Sequence, residues 1–187
     1  LDEGQQEFSP TYTVISDEYY NYGLQYTYGL NENNNIRFRI DKLFYENIEN
    51  SLFEDESSSV RGTHISIGLK TKLIGGQKEK IYSNGRHVLL RRAIYMPISY
   101  TYHEILKEGI TLFEPTYLFS VLSKNEKFEY TISPRVLINL SKSHFSGSGV
   151  LPCLDIGVGF SPNPSKWMFR MGYTLPSQYS FGISLYK

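Results

Sequence analysis

The chain has 187 residues, of which 19 are basic and 19 acidic, so its formal net charge at pH 7 is zero. This balance argues against a nucleic-acid groove and against a polybasic membrane anchor. Cys153 is the only cysteine, which excludes an internal disulfide framework and a cysteine-rich metal site. The four histidines show no metal-ligand spacing, so we expect neither a metal nor a cofactor.

Apolar residues are spread along the chain and do not form long runs. No run approaches the roughly 18 apolar residues that a membrane-spanning helix needs. Strands that alternate apolar and polar residues keep the mean hydropathy low, and here it is −0.34. Aromatic residues make up 15% of the sequence, and such rings collect where a protein surface meets lipid headgroups. The composition therefore excludes a helical membrane protein and is compatible with a barrel.

Ten segments alternate between apolar and polar residues, which is the period of a strand with one apolar face. In chain order they cover residues 8–16, 20–30, 36–41, 64–70, 90–102, 113–121, 128–139, 154–160, 167–173 and 178–187. Short polar connections such as 31–34 and 161–165 predict that consecutive strands are antiparallel neighbours. We predict an all-β chain that folds as one domain over residues 1–187.

The last segment has one apolar and one small, polar face. Its apolar residues are Phe181, Ile183 and Leu185, and they alternate with Ser180, Gly182 and Ser184. A closed transmembrane barrel needs such a strand to pair with the first one. If segment 8–16 is that partner, although Pro10 interrupts it, the barrel has ten strands. If it is not, an even number of strands leaves eight as the alternative.

Alternation alone does not reveal which face points inward. A lipocalin-like soluble barrel buries its apolar face around a ligand, whereas an outer-membrane barrel turns that face to lipid. The polar face here combines glycines with opposite charges, which suits a crowded lumen better than a solvated surface. The expected lipid-facing residues include Phe169, Met171, Phe181, Ile183 and Leu185. The expected salt-bridged lumen network consists of Arg37, Arg39, Asp41, Lys70, Arg91, Glu114, Glu129, Arg135, Asp155 and Arg170.

Four prolines recur at nearly regular spacing, one in each of four consecutive segments: Pro97, Pro115, Pro134 and Pro152. Proline lacks the backbone N–H that a strand ladder requires. We therefore expect these residues to lie near strand ends, at the barrel rims or at bulges.

Several segments together resemble a known family. They are Tyr95-Met-Pro-Ile-Ser-Tyr-Thr-Tyr102, Glu114-Pro-Thr-Tyr-Leu-Phe119, Leu154-Asp-Ile-Gly-Val-Gly-Phe160 and Tyr179-Ser-Phe-Gly-Ile-Ser-Leu-Tyr186. In order and spacing they resemble the small outer-membrane β-barrel domains of Gram-negative bacteria, over residues 88–187. The resemblance implies an antiparallel up-and-down transmembrane barrel of eight or ten strands in the bacterial outer membrane. It also implies contact with outer-membrane lipid and lipopolysaccharide, and with other outer-membrane or periplasmic proteins.

Two His-x-Ser pairs could support catalysis, because a serine hydrolase needs a histidine base within reach of its hydroxyl. They are His64 with Ser66, and His144 with Ser146. The second pair resembles an element of the outer-membrane lipid A deacylases. Neither pair has an evident carboxylate partner in the sequence.

The function that we expect is therefore non-enzymatic. A barrel of this size is filled largely by its own side chains, so a salt-bridged plug is favoured over an open pore. We expect a structural or accessory subunit that binds other envelope components. The acidic connection at residues 46–59 is expected to be a solvated loop, and binding of cations or of a basic partner surface is the alternative. The alternatives are a lipid-modifying enzyme of the lipid A deacylase type, using His144 and Ser146, and a soluble lipocalin-like carrier.

Overall fold

The structure is a computed structural model that describes residues 1–16, 19–45, 60–81, 87–104, 107–141, 149–175 and 178–187. Within these ranges eleven β-strands form one sheet. Their bounds are β1 (Gln6–Ser16), β2 (Tyr19–Gly29), β3 (Asn34–Tyr45), β4 (Val60–Ile81), β5 (His87–His103), β6 (Glu108–Phe113), β7 (Thr116–Ser123), β8 (Phe128–Asn139), β9 (Val150–Phe160), β10 (Trp167–Leu175) and β11 (Gln178–Tyr186).

The sheet closes on itself because the first strand pairs with the last. The antiparallel ladder between β1 and β11 runs from Glu7 opposite Tyr186 to Val14 opposite Tyr179. β6 and β7 follow one another between β5 and β8, so together they take the place of a single strand in the wall. We call each of the ten strand positions around the barrel a stave, and β6 and β7 form the sixth. The described residues thus form a closed antiparallel barrel of ten staves, and the predicted fold class is confirmed. The alternative of eight strands is wrong.

The two ends of the barrel differ. Gln6 and Lys187 exchange backbone hydrogen bonds of 2.9 Å, and we call the end where they lie the terminal end and the opposite one the distal end. The connections 30–33, 124–127 and 161–166 also lie at the terminal end. At this end β4 extends beyond β3, so that residues 77–81 pair only with β5. One strand edge therefore projects from the terminal end without a neighbour among the described residues.

Side chains alternate across the wall, and every stave presents large apolar residues outward. Ile40 is 51% exposed and Tyr130 is 58% exposed. Residues on the inner face are mostly polar and buried, as Thr13, Ser99 and Asp41 are, each no more than 2% exposed. The molecule thus buries polar groups and exposes apolar ones, which is the reverse of a water-soluble barrel.

The positions of the prolines correct one expectation. Pro97 and Pro134 lie well inside β5 and β8, opposite Gly68 and Leu154, and not at strand ends. Pro152 is the third residue of β9, and Pro115 separates β6 from β7, so these two lie near strand ends, as expected. The four residues therefore occupy four adjacent staves of one wall.

This wall tolerates the prolines because each one removes a donor but keeps its carbonyl acceptor. The carbonyl of Pro97 accepts the N–H of Glu114, and the carbonyl of Pro115 accepts the N–H of Val136, both at 3.1 Å. The N–H of a residue in an antiparallel ladder faces only one neighbouring strand, so each proline costs at most one bond. The gap at Pro115 splits the sixth stave without opening the barrel.

Gly68 is the residue that accommodates Pro97. A Cβ atom at position 68 would lie 2.6 Å from the Pro97 Cα and 2.6 Å from a ring carbon of Tyr95. The backbone of Pro97 cannot rotate away, so only glycine fits here without moving the wall.

We predict that Gly68→Ala destabilises the barrel by about 1–3 kcal/mol, because overpacking forces backbone shifts. The matched control is Gly172→Ala, where the added Cβ would first meet the rotatable Ser180 hydroxyl at 2.7 Å and backbone only at 3.4 Å. Unfolding by denaturant, followed by the fluorescence of the single tryptophan Trp167, gives both values. Equal losses in the two variants would show that the Pro97 contact is not the cause.

Candidate functional site

The first charged cluster surrounds Arg170 of β10, in the terminal half of the lumen. Its Nη1 atom donates to Glu7 Oε1 at 2.9 Å, and its Nη2 atom donates to Glu129 Oε2 at 3.2 Å and to the Tyr186 hydroxyl at 2.9 Å. Ser184 Oγ also accepts from this guanidinium. One side chain therefore ties β10 to β1, β8 and β11 across the inside of the barrel. Charge-assisted bonds of this kind are the strong ones.

The second cluster surrounds Arg135 of β8. Its Nη1 atom lies 3.0 Å from Glu114 Oε2, and its Nη2 atom lies 3.2 Å from Asp155 Oδ1. Ser99 Oγ donates to Glu114 at 2.6 Å, and Thr174 Oγ1 donates to Asp155 at 2.6 Å. Both carboxylates therefore have a cation and a hydroxyl as partners, as buried charges require.

The third cluster lies in the distal half and includes a histidine. Arg39 Nε donates to both oxygens of Asp41, at 2.7 and 3.0 Å. His64 Nδ1 lies 2.8 Å from Thr101 Oγ1, and His64 Nε2 lies 4.0 Å from Asp41 Oδ2. No carboxylate partner of His64 was evident in the sequence, and the register places Asp41 directly opposite it.

This cluster does not have the geometry of a serine hydrolase. Among the described residues there is no hydrogen bond between His64 and Ser66. The Asp41 carboxylate is held by Arg39 and does not orient the imidazole at hydrogen-bond distance, as a triad carboxylate does. His144 and Ser146, the other candidate pair, lie outside the described residues, as does the whole acidic connection 46–59.

Arg37 and Lys70 also face the lumen but belong to none of these clusters. The guanidinium carbon of Arg37 lies 4.9 Å from the centre of the Tyr95 ring, which is a cation–π contact. Over the described ranges, neither Arg37 nor Lys70 forms a salt bridge or a side-chain hydrogen bond, and Arg37 Nε is buried without a partner.

Arg91 stands apart from the rest of the expected network. It lies towards the terminal end of β5, and its Nη2 atom contacts Glu126 Oε2 at 3.3 Å. Both side chains are more than 40% exposed, so water screens the pair. Every other member of the expected network lines the interior.

Two cavities occupy the lumen. The distal cavity, of about 300 Å³, is lined by Asn21, Asp41, His64 and Thr101, and the terminal cavity, of about 340 Å³, by Glu7, Lys70, Glu129 and Arg170. Six residues line both cavities and so lie between them: Gln25, Arg37, Arg39, Leu118, Ser133 and Asp155. We call this set the constriction.

The outer wall carries the residues that the sequence analysis assigned to lipid. Phe169, Met171, Phe181, Ile183 and Leu185 are all exposed on the outside of β10 and β11. Phe169 lies opposite Ile183 in the ladder, and Met171 opposite Phe181. The two strands therefore present one continuous apolar surface.

Sequence reasoning missed several residues that contact the lumen charges, above all Glu7 and Tyr186 beside Arg170 and Tyr95 beside Arg37. Glu7 precedes the first recognised segment, yet the outward position of Phe8 already implied an inward Glu7 by alternation. Tyr95 and Tyr186 were read as parts of aromatic strand motifs. Their roles depend on partners that only the register brings close.

Other kinds of site find no support in the described residues. They contain no group of three or more His, Cys, Asp and Glu residues that could hold a metal ion. They also contain no helix long and apolar enough to cross a membrane.

Comparison with known proteins assigns no family to the chain. A scan against protein-family models finds no match, and no curated protein sequence matches. Among solved structures, the chain is similar to the translocator domain of the autotransporter NalP from Neisseria meningitidis, with 11% identity and a TM-score of 0.41. The match covers 97% of this chain and 85% of that chain.

We predict that Arg170→Met destabilises the folded barrel by about 3–5 kcal/mol, because it leaves two nearly buried carboxylates without their cation. The side chains of Glu7 and Glu129 are 8% and 12% exposed. The denaturant midpoint of unfolding measures the loss.

The control for this prediction is Arg91→Met, which breaks an exposed pair and should cost no more than about 1 kcal/mol. A similar midpoint shift in both variants would contradict a structural role for the Arg170 cluster.

Proposed function

We propose that this protein is an integral barrel of the bacterial outer membrane that acts, without catalysis, as a structural or accessory subunit. Its outer wall contacts outer-membrane lipid and lipopolysaccharide. Its exposed connections bind other outer-membrane or periplasmic proteins. The lumen is a salt-bridged plug and not an open pore.

The observation that carries this proposal is the belt of exposed apolar side chains on all ten staves. Monomeric soluble proteins rarely expose contiguous apolar patches larger than a few hundred Å². A belt that encircles the molecule has no partner among the described residues, and lipid is the solvent that covers such a surface on all sides at once. The charged interior makes a lipocalin-like carrier the poorer explanation.

The closed ladder supports the same proposal. In hydrocarbon no water satisfies a free N–H or C=O group, so a spanning sheet must have no edge. The pairing of β1 with β11 meets this requirement.

Aromatic rings lie near both ends of the outer wall. Towards the distal end, the rings of Tyr20 and Phe44 stack at 5.3 Å and those of Tyr12 and Tyr22 lie 4.9 Å apart. At the terminal end, Phe128 and Phe160 lie 5.1 Å apart. Two such groups fit the girdles at the two membrane interfaces.

The accessory role draws its support from the projecting edge of β4. Residues 77–81 pair on one side only, and Ile74 and Ile81 nearby are fully exposed and 63% exposed. An unpaired strand edge is a surface to which another chain can add a strand. The terminal end therefore offers a place for a protein partner. No contact in the described residues favours the lipid-modifying enzyme.

We predict that Ile67→Arg destabilises the protein in lipid vesicles by about 2–4 kcal/mol, because it places a cation on the lipid-facing wall. Ile67 is 47% exposed and lies between Phe38 and Ile98. On a soluble barrel, the same exposed substitution would change stability by no more than about 0.5 kcal/mol. Unfolding of vesicle-inserted protein measures the difference.

The matched control is Asn33→Arg, which adds the same charge at an exposed residue of the terminal connection 30–33. It should leave stability unchanged. Wild-type protein that stays soluble without detergent, and migrates identically on a gel before and after boiling, would overturn the membrane assignment.

The plug makes a separate prediction. Wild-type protein in a planar lipid bilayer should show no steady conductance, because the proposed plug closes the path between the two cavities at the constriction. The double variant Arg37→Ser, Arg39→Ser removes two of its large side chains and should open a conducting path. The control Lys42→Ser removes a charge from the outer face, where Lys42 contacts Glu104, and should stay silent. Steady wild-type conductance equal to that of the double variant would contradict the plug.

A further inference from the structure

We propose that Arg37 and Lys70 form a binding site for a small, water-soluble oxyanion of the phosphate class in the terminal cavity. This goes beyond a structural role for the lumen, and it does not depend on which partners the barrel has.

The sheet register brings these two cations together. Arg37 lies opposite Gly68, and Lys70 lies opposite Asn35, so the two are diagonal neighbours on the inner face of β3 and β4. Diagonal side chains on one face are within reach of one another when they are long. Like charges in this relation repel, and the arrangement gains from an anion placed between them.

No carboxylate of the described residues pairs directly with either cation. Glu7 and Glu129 also line the terminal cavity, but both are engaged by Arg170 at 2.9 and 3.2 Å. Arg39, the neighbouring cation, is engaged by Asp41. Lys70 and Arg37 are thus the cavity-lining cations whose donors have no oxygen partner in the described chain.

Further donors and a rigid support complete the site. Arg37 Nε is buried without a partner, and so is the hydroxyl of Thr11, which lines the same cavity. Tyr95 lies against the guanidinium and limits its movement, which lowers the entropy lost on binding.

The ligand class follows from these groups. The planar fork of an arginine matches two oxygens of a phosphate, while a lysine ammonium acts as a point charge on a third. The cavity of about 340 Å³ has room for a phosphate or a small phosphomonoester. A lipid headgroup does not fit this site, because its acyl chains would have to pass through a closed wall.

The proposal is tested by titrating folded, detergent-solubilised protein with inorganic phosphate in a calorimeter. Wild-type protein should bind one phosphate per barrel. Lys70→Met should weaken binding about tenfold or more, because a charge-assisted bond is lost. Lys70→Arg keeps the charge and should retain most of the affinity.

The control is Lys127→Met, which removes an exposed lysine at the same end of the barrel and should bind phosphate as the wild type does. The shift in gel mobility on boiling verifies that each variant is folded, and Arg37→Gln serves if Lys70→Met fails to fold. Absence of saturable phosphate binding by the wild type, or equal binding by Lys70→Met and Lys127→Met, would overturn the proposal. Either result would mean that the negative charges of Glu7 and Glu129 stabilise Arg37 and Lys70 without a bound anion.

Discussion

Closure of the backbone ladder is the constraint on which the rest of the structure depends. Once β1 pairs with β11, the wall of the barrel has no free edge apart from the projecting end of β4, and alternation divides every strand between an outside and an inside. An edge left open would need water or a partner chain to satisfy its N–H and C=O groups. The closed wall removes that need and allows an apolar exterior.

Closure also concentrates the charges. Glu7 and Arg170 are separated by nearly the whole described chain, yet they meet because the first and last strands are neighbours. Arg135 and Arg170 each hold two carboxylates, so each cluster carries one excess negative charge. Arg37 and Lys70 supply the compensating positive charges without direct pairing. The net charge of these lumen residues is therefore zero, but the charges are not distributed evenly. The proposed oxyanion site lies where two positive charges have no carboxylate paired with them.

The sequence was sufficient to predict ten strand segments, their antiparallel order and the outward face, because each depends on neighbouring residues. It did not predict β6 or the break at Pro115, which divides the sixth position of the wall. Phe169, Met171, Phe181 and Ile183 could be assigned by period alone. Partners across the lumen could not, because the neighbour of Asp41 is set by the register that places His64 opposite it. Pro97 and Pro134 were placed wrongly for a related reason. Their cost depends on which neighbour each missing N–H would face, and Gly68 shows how the adjacent strand adapts to Pro97.

The central claim is that the apolar face of the wall meets lipid. Spin labels placed one at a time along β11, at positions 179–185 in a Cys153→Ser background, test it most directly in vesicle-inserted protein. The account predicts that labels at Phe181, Ile183 and Leu185 collide with oxygen dissolved in lipid, while those at Ser180, Gly182 and Ser184 do not. Labels at the first three positions that collide instead with a water-soluble nickel complex would contradict it.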